Sequence, residues 1–468
     1  MNVSRRIAEP LLALEVPLRC HIVGIGGPGM SAIARLLVEM GHAVTGSDLH
    51  ESEVIDELRQ RGAEISIGHR ESVVHGADVV TYSTAIPSTN VELVEARRCG
   101  IETRHRSGML ASLCAATNAV GIAGTHGKTT TTALVTAMTT AGGLHPSSII
   151  GADVLGGTGN VHGDGSLLII EADESDGTLD VLPLSSLVVT NIDIDHLDYF
   201  GSFEAIKECF ADAIERTHGV IVLNADDAGS AELVQALGQN IRVATFGWSE
   251  NSTVRITSTA SHSEGTLVDV CVADQTYRCA LNLRGEHNVM NFAAALALVI
   301  RLGVEPAVAC TAASAFRGVA RRFTERGDFC GSLLIDDYAH LPAEISATID
   351  AVRSHPALMG RVVAVFQPNR YHRIATMADS YADCFVNADR IVITDVYASG
   401  TQKIDGVTGE LVVNAIRRAH KDADVVWAQS RADTVAAVKS WIAPGDVCVS
   451  MGCGDIESFP DDLRGVPT

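Results

Sequence analysis

Val120-Gly-Ile-Ala-Gly-Thr-His-Gly-Lys-Thr-Thr-Thr-Thr132 is the stretch that decides the fold of this chain. Its apolar start is typical of a buried strand, a glycine-rich turn follows, and Lys128 and Thr129 then open a helix predicted over about 128–141. Backbone N–H groups in such a turn form a cradle for phosphate oxygens. Lys128 adds a point charge at the β- and γ-phosphates, and the Thr129 hydroxyl is a ligand for Mg²⁺. The stretch therefore predicts a P-loop that binds ATP.

This P-loop is an offset one. The pattern G-x-x-x-x-G-K-[ST] requires a glycine at position 122, where the chain has Ile122 between Gly121 and Gly124. A plain glycine turn that caps a helix and leaves Lys128 exposed is the alternative interpretation. The succession of strand, turn, Lys-Thr and helix favours the P-loop.

Length and charge restrict the class of protein. A chain of 468 residues is too long for one core and indicates about three domains. The net charge of −22 argues against general binding of nucleic acid or anionic membranes. No apolar run reaches the roughly 18 residues of a membrane span, and Pro10, Glu15 and Pro17 interrupt any secretory signal. The 11 cysteines form no C-x-x-C pair, so we expect reduced thiols and a cytoplasmic location.

The first domain begins with a second glycine turn. Gly24, Gly26 and Gly29 follow an apolar strand in the spacing G-x-G-x-x-G, and Asp48 lies about twenty residues further on. Taken alone, this pattern predicts a Rossmann unit that binds a dinucleotide. Glycines admit any diphosphate to a helix N-terminus, however, so NAD, FAD and a UDP-sugar all remain open.

Polar residues follow later strands of this domain. His69, Ser83 and Thr84 come directly after predicted strands, at the carboxyl edge where open α/β sheets bind ligands. From the pattern alone, each is either a ligand contact or an ordinary polar loop residue.

Two acidic clusters follow strands of the middle domain. Glu171-Ala-Asp-Glu-Ser-Asp176 ends one strand and Asp193-Ile-Asp-His-Leu-Asp198 follows another. Carboxylates at such positions beside a P-loop are the usual ligands of nucleotide-bound Mg²⁺. His196 is a softer ligand than Mg²⁺ prefers. Asn291, placed at the start of a helix predicted over Phe292–Leu302, offers the paired donor and acceptor that match an adenine edge, or serves as a helix cap.

The last third of the chain alternates strands with polar loops. Predicted strands at 333–336, 362–366, 390–394 and 447–451 each end in a loop that carries glycine, proline or charge. The pattern predicts a second doubly wound sheet with its functional loops on one edge. Arg370 and Arg373, in one of these loops, could bind a carboxylate or phosphate bidentately, or are surface arginines.

Taken together, these motifs resemble those of the Mur ligases. The similarity covers essentially the whole chain, in order, through Gly24-Ile-Gly-Gly-Pro-Gly-Met30, Gly124-Thr-His-Gly-Lys-Thr-Thr130, Glu171-Ala-Asp-Glu-Ser-Asp176, Thr190-Asn-Ile192, Asp195-His196, Gly285-Glu-His-Asn288, Arg321-Arg-Phe323, Asp336-Asp-Tyr-Ala-His340, Phe366-Gln-Pro368 and Gly454-Asp455.

The resemblance implies an α/β chain of three domains. These are an N-terminal Rossmann-like domain for a UDP-sugar (1–112), a central P-loop ATPase-type domain (113–320) and a C-terminal Rossmann-like domain for the amino acid (321–468). It further implies ATP-dependent addition of L-alanine to the lactyl carboxylate of UDP-N-acetylmuramate, through an acyl phosphate, in cytoplasmic peptidoglycan synthesis. The expected cofactors are ATP and Mg²⁺, and the expected state is a monomer or weak homodimer.

The resemblance also assigns roles to individual residues. Lys128, His196 and His340 are the implied catalytic residues, and Thr129, Glu171 and His196 the implied metal ligands. The implied ATP-binding residues are Gly124, Thr125, His126, Gly127, Lys128, Thr129, Thr130, Asn291, Arg322 and Asp337. Those implied for the UDP-sugar are Gly26, Gly27, His69, Ser83 and Thr84, and those for the amino acid are Tyr338, His340, Arg370 and Arg373.

The chain departs from the family pattern in the amino-acid pocket. Leu341 stands where the family usually has a second histidine, Asn369 where it usually has histidine, and Cys453 in place of a small residue. A related recycling ligase, which joins a preformed tripeptide to the same UDP-sugar, is therefore an alternative, although Ser175 is more often tyrosine there. A nicotinamide-dependent oxidoreductase would explain the first glycine turn but leave the P-loop and both acidic clusters without a role.

Overall fold

The structure is a computed structural model that describes residues 10–155, 163, 166–174, 177–195, 197–236 and 242–466. In the described residues, the strands form three sheets of five, nine and six strands. None of the helices in these ranges has the length and apolar character required to cross a membrane. The predicted α/β class is confirmed.

The N-terminal sheet consists of β1 (Arg19–Val23), β2 (Ala43–Asp48), β3 (Glu64–Ile67), β4 (Val79–Tyr82) and β5 (Glu102–His105). Its strands are all parallel, in the order β3-β2-β1-β4-β5, which is the order of a Rossmann unit. The connections are α1 (Pro28–Glu39), α2 (Glu53–Gln60), a short 3₁₀ turn (Glu71–Val74) and α3 (Val91–Arg98), and α4 (Arg106–Ala115) follows β5. The sequence pattern did not predict β5 and α4.

The central sheet follows with β6 (Asn118–Ala123), β7 (Ser147–Ile149), β8 (Leu167–Glu171), β9 (Ser186–Val189), β10 (Val220–Asn224), β11 (Arg242–Gly247), β12 (Val254–His262), β13 (Gly265–Val272) and β14 (Gln275–Leu281). The strand order is β14-β13-β12-β11-β10-β9-β6-β8-β7. The helices are α5 (Lys128–Ala141), α6 (Leu197–Phe200), α7 (Phe203–Arg216), α8 (Ala228–Ala236), α9 (Glu286–Arg301) and α10 (Pro306–Ala315). Because β6 lies between β8 and β9, the loops after all three strands meet at one edge.

Helix α5, directly after the glycine turn, is buried although it is rich in threonine. Threonine is a weak helix former, and its hydroxyl must find a partner when it is buried. Here the hydroxyls of Thr132, Thr136 and Thr139 donate to the carbonyls of Lys128, Thr132 and Val135, four residues earlier. The helix therefore carries polar side chains into the core without unpaired donors at these positions, and its predicted range is confirmed.

The C-terminal sheet consists of β15 (Thr324–Phe329), β16 (Ser332–Asp337), β17 (Val362–Phe366), β18 (Arg390–Thr394), β19 (Val425–Ala428) and β20 (Val447–Met451). The order is β15-β16-β20-β17-β18-β19, with β15 antiparallel to its neighbour and the others parallel. The helices are α11 (Pro342–Arg353), α12 (Tyr371–Met377), α13 (Glu410–Ala419), α14 (Arg431–Trp441) and α15 (Phe459–Arg464), with 3₁₀ turns at Ala378–Tyr381 and Asp455–Ser458.

Both faces of this last sheet are covered, as in a doubly wound fold. Alternate residues of β17 belong to two separate apolar clusters: Phe366 packs in one and Val365 in the other, and both are fully buried. The predicted second doubly wound sheet is confirmed. Its edge strand β15 was not predicted.

The chain packs as two compact units. One contains Met1–Ile256, Val270–Tyr277 and Asn291–Ala313, and the other contains Thr257–Asp269, Arg278–Met290 and Ser314–Thr468. The first holds both glycine turns, and the second holds the C-terminal sheet. The domain boundaries at 112/113 and 320/321 stay a prediction.

Candidate active site

The P-loop between β6 and α5 requires glycine at two positions. Gly124 has a φ of +128° and Gly127 a φ of +83°, which side chains rarely adopt. A Cβ on Gly124 would lie 2.1 Å from the Thr190 hydroxyl, and one on Gly127 would lie 2.2 Å from Asn291 Oδ1. These glycines therefore allow the loop to fold tightly against two neighbouring elements.

Asn191, at the end of β9, holds the P-loop in place. Its Oδ1 accepts the His126 N–H at 2.9 Å, its Nδ2 donates to the His126 carbonyl at 3.1 Å, and its own carbonyl accepts the Thr125 N–H at 3.1 Å. The Thr125 hydroxyl in turn accepts the Asp193 N–H at 2.9 Å. Sequence reasoning gave Asn191 no role, although it lies in the Thr-Asn-Ile motif.

Lys128, in the first turn of α5, points back into the loop. Its Nζ donates to the Gly124 carbonyl at 2.7 Å and lies 3.1 Å from a carboxylate oxygen of Glu174, which is 3% exposed. Burial alone would lower the pKa of Lys128, but the negative charges of Glu174, Asp173 and Glu171 outweigh it and raise that pKa well above its usual range. The lysine is thus a fixed cation whose side chain is only 14% exposed, which contradicts the alternative of an exposed lysine on a plain glycine turn.

Thr129 and Glu171 form an oxygen pair beside this lysine. The Thr129 hydroxyl donates to Glu171 Oε2 at 3.1 Å, and Glu171 Oε1 accepts the Gly151 N–H at 2.7 Å. A hydroxyl and a carboxylate are the hard oxygen ligands that Mg²⁺ prefers, so the donor set fits the predicted metal. His196, the third predicted ligand, lies outside the described residues.

Removal of the Thr129 hydroxyl should weaken binding of Mg²⁺. We expect Thr129→Val to raise the Mg²⁺ concentration for half-maximal ATP use at least about tenfold, because the predicted metal site would lose its hydroxyl ligand. Thr129→Ser, which keeps the hydroxyl, is the control and should stay near wild type. The measurement is ATP consumption during a Mg²⁺ titration at fixed free ATP; equal midpoints for the two variants would contradict this prediction.

Asn291, the predicted adenine reader, lies next to the P-loop. It is 7% exposed and sits in the second turn of α9, because that helix begins at Glu286 and not at Phe292 as predicted. Asn291 Oδ1 lies only 2.2 Å from the position that a Cβ on Gly127 would take, so the structure brings this side chain to the glycine turn. Thr130, also predicted to bind ATP, is buried in the first turn of α5.

Asp48, the last residue of β2, holds the first glycine turn. Gly26 donates its N–H to Asp48 Oδ2 at 2.8 Å, while Asp48 Oδ1 accepts the Leu49 N–H at 2.7 Å. A Cβ on Gly26 would lie 2.9 Å from Asp48 Oδ2. Asp48 thus serves the turn itself, which differs from the ribose contact that a dinucleotide fold gives an acidic residue at this place.

The other residues predicted for the UDP-sugar lie along the same edge. Gly27 caps α1, His69 follows β3, and Ser83 and Thr84 follow β4. His69 Nδ1 lies 3.1 Å from Ser47 Oγ and 3.1 Å from Glu92 Oε1. Thr84 Oγ1 lies 3.4 Å from His105 Nε2.

In the second compact unit, Asp337 is the last residue of β16 and Tyr338 follows it. Both carboxylate oxygens of Asp337 accept backbone N–H groups, from Ala339 and Phe323, at 2.7 Å each. The guanidinium of Arg322 lies 4.8 Å from the centre of the Tyr338 ring, a cation–π distance. Asp337 therefore ties the loop that carries Tyr338 to the segment before β15 that carries Arg322.

The predicted amino-acid residues His340, Arg370 and Arg373 also lie in this unit. His340 Nδ1 lies 3.2 Å from Glu344 Oε2, and Arg373 donates to Asn369 Oδ1 at 2.9 Å. Arg370 has a φ of +61°, a strained value for arginine. Burial raises the pKa of the Cys453 thiol, although the charges of Arg373 and Arg370 oppose it.

Comparisons with protein families match three consecutive parts of the chain. Residues 19–118 match "Mur ligase family, catalytic domain", residues 122–299 match "Mur ligase middle domain", and residues 321–454 match "Mur ligase, glutamate ligase domain".

Individual relatives agree with these matches. The UDP-N-acetylmuramate–L-alanine ligase of Sinorhizobium fredii is 40% identical over 448 residues, which are 93% of this chain and 94% of the relative. The crystal structure of UDP-N-acetylmuramate–alanine ligase from Thermotoga maritima is 27% identical with a TM-score of 0.74, covering 96% and 98% of the two chains. A murein peptide ligase from Psychrobacter arcticus is 22% identical with a TM-score of 0.66 over 96% of this chain and 98% of the other, and shares the fold. The chain belongs to the Mur ligase family.

Proposed function

We propose that this chain is an ATP-dependent ligase that joins L-alanine to the lactyl carboxylate of UDP-N-acetylmuramate in peptidoglycan synthesis. The observation that carries the proposal is Lys128, held by Glu174 at the P-loop, with the Thr129 hydroxyl and a Glu171 carboxylate oxygen 3.1 Å apart beside it. The 40% identity to a ligase of that name over 93% of the chain supports the choice of substrate.

The chemistry explains why a ligase needs this arrangement. A carboxylate is a poor acylating group, so the lactyl carboxylate first attacks the γ-phosphate of ATP, which gives an acyl phosphate and releases ADP. The alanine amine then attacks the acyl carbon, and phosphate leaves. Lys128 supplies a fixed positive charge where negative charge concentrates on the phosphates. Bound Mg²⁺, held by Thr129 and Glu171, would neutralise further phosphate charge.

The remaining roles are part of the same proposal. The P-loop residues, Asn291, Arg322 and Asp337 bind ATP, while Gly26, Gly27, His69, Ser83 and Thr84 bind the UDP-sugar. Tyr338, His340, Arg370 and Arg373 bind the amino acid, and His196 is the third metal ligand. We propose a cytoplasmic monomer or weak homodimer that binds neither nucleic acid nor membranes, with domains at 1–112, 113–320 and 321–468.

Two alternatives differ in their substrates. The recycling ligase would take a tripeptide in place of alanine. Asn369 stands where the family usually has histidine, and it accepts a hydrogen bond from Arg373, a proposed amino-acid-binding residue. This change in the proposed amino-acid pocket is the reason to test the tripeptide. An oxidoreductase would need an acidic residue free to contact the adenosine ribose of its dinucleotide, and Asp48 is already engaged by the Gly26 and Leu49 N–H groups.

Substrate preference tests the proposal directly. We expect phosphate release from ATP that requires both UDP-N-acetylmuramate and L-alanine, because the amine is needed to discharge the acyl phosphate. The measurement compares L-alanine, glycine, L-serine and the tripeptide L-alanyl-γ-D-glutamyl-meso-diaminopimelate at equal concentrations. Faster turnover with the tripeptide would favour the recycling ligase, and saturable NAD(P) binding without ATP use would favour the oxidoreductase.

A further inference from the structure

A buried glutamate lies beneath the UDP-sugar edge of the N-terminal sheet. Glu92, in the first turn of α3, is 0% exposed. Its Oε2 accepts the Ser47 hydroxyl at 2.7 Å and lies 3.1 Å from His21 Nε2. Its Oε1 lies 3.1 Å from His69 Nδ1 and accepts the Arg70 N–H at 3.2 Å. A single carboxylate thus connects β1, β2, α3 and the loop after β3.

The electrostatics keep this carboxylate ionised. Burial opposes its charge, but hydrogen bonds from His21 and Ser47 outweigh burial and lower the pKa of Glu92. The N-terminus of α3 also favours a negative charge at this position. An ionised carboxylate can only accept hydrogen bonds.

The hydrogen-bond directions therefore determine the orientation of His69. Ser47 uses its proton on Glu92, so its oxygen is left to accept a proton from His69 Nδ1. Both partners of Nδ1 are then acceptors, and Nδ1 must carry the hydrogen. His69 Nε2 has no hydrogen-bond partner in the described part of the chain, and the side chain is 17% exposed.

We propose that Glu92 is a positioning residue for the UDP-sugar: together with Ser47 it fixes the His69 ring so that Nε2 faces the bound nucleotide. The inference rests on the proposed function, because it assigns His69 to that ligand. Ser47 links the two parts of the site, since its carbonyl also accepts the Gly24 and Ile25 N–H groups of the glycine turn at 2.8 and 3.0 Å.

Glu92→Gln tests this role, with Glu95→Gln as the matched control. Glu95 is one turn further along α3, is 5% exposed, and also contacts a histidine, His75, at 2.7 Å. We expect Glu92→Gln to raise the Kd for UDP-N-acetylmuramate about tenfold, because the amide cannot replace a carboxylate that accepts from four groups. The KM for ATP and kcat at saturating sugar nucleotide should stay within about twofold. Glu95→Gln should match wild type in all three.

A double-mutant cycle with His69→Ala separates positioning from a general structural effect. If Glu92 acts through His69, Glu92→Gln should change the Kd less than about twofold once His69 is alanine. An undiminished effect in that background, or equal Kd values for Glu92→Gln and Glu95→Gln, would overturn the proposal. Thermal unfolding monitors folding, and Ser47→Ala replaces Glu92→Gln in the cycle if the latter does not fold. A wild-type protein that binds no UDP-N-acetylmuramate would instead contradict the proposed function.

Discussion

Lys128→Ala should lose at least about a hundredfold in kcat while the protein remains folded. The ammonium group is the fixed charge at the proposed phosphate cradle, and removal of a preorganised electrostatic donor costs about this much. Its position is tightly defined by the Gly124 carbonyl at 2.7 Å and the Glu174 carboxylate at 3.1 Å. Phosphate release at saturating ATP, UDP-N-acetylmuramate and L-alanine measures the effect.

The control for this variant must separate chemistry from stability. Lys128→Ala leaves the buried Glu174 carboxylate without its partner. An unpaired buried carboxylate that stays ionised destabilises a protein by about 3–5 kcal/mol. Combining Lys128→Ala with Glu174→Gln removes that charge and should restore stability but not turnover. Lys207→Ala, which breaks a surface ion pair with Glu232 at 2.8 Å, should leave both unchanged. Near-normal turnover in folded Lys128→Ala would place the phosphate cradle elsewhere.

Gly127→Ala should raise the KM for ATP by at least about tenfold, as we expect when the proposed adenine reader is displaced. The new Cβ would lie 2.2 Å from Asn291 Oδ1, far inside contact distance, so either the loop or Asn291 must move. The φ of +83° adds about 1–2 kcal/mol of backbone strain. Steady-state kinetics with varied ATP detect the loss.

Gly143→Ala is the matched control, because it lies just beyond the other end of the same helix. Its φ is +77°, but a Cβ there would have no atom within 4 Å. Gly143→Ala should therefore lose only the stability that backbone strain costs, Gly127→Ala should lose more because of the clash, and only Gly127→Ala should change the KM for ATP. The same KM in both would show that the contact with Asn291 does not matter for binding.

Local sequence patterns predicted the bounds of helices and strands better than they predicted which side chains contact one another. The range 128–141 for α5 and the strand ranges 362–366, 390–394 and 447–451 were correct, because glycine turns and apolar runs mark them clearly. Helix α4 was missed, since its first turn contains no acidic residue and its cap is a histidine, His105. Helix α9 begins six residues before its predicted start, because Glu286 to Asn291 reads as a polar loop in sequence.

The site residues illustrate the same limit. The sequence predicted that Lys128, Thr129 and Glu171 are neighbours. Lys128 and Thr129 open α5 after β6, and Glu171 ends β8, the strand beside β6. Asn191 was not given a role, since its contacts with His126 span 65 positions along the chain and leave no local pattern. Glu174 was predicted within a metal-binding cluster, but in the structure its carboxylate contacts the lysine. The pairing of acidic and basic side chains depends on tertiary packing, and the periodicity of a sequence does not describe that packing.

The contact between Glu174 and Lys128 has a consequence for how nucleotide enters. Glu174 Oε2, 3.1 Å from Lys128 Nζ, and the Gly124 carbonyl, 2.7 Å from it, together orient the ammonium group. A phosphate that binds at the proposed cradle would therefore meet a preorganised cation and would compete with Glu174 for it. Removal of the Glu174 charge should weaken this competition and accelerate nucleotide association.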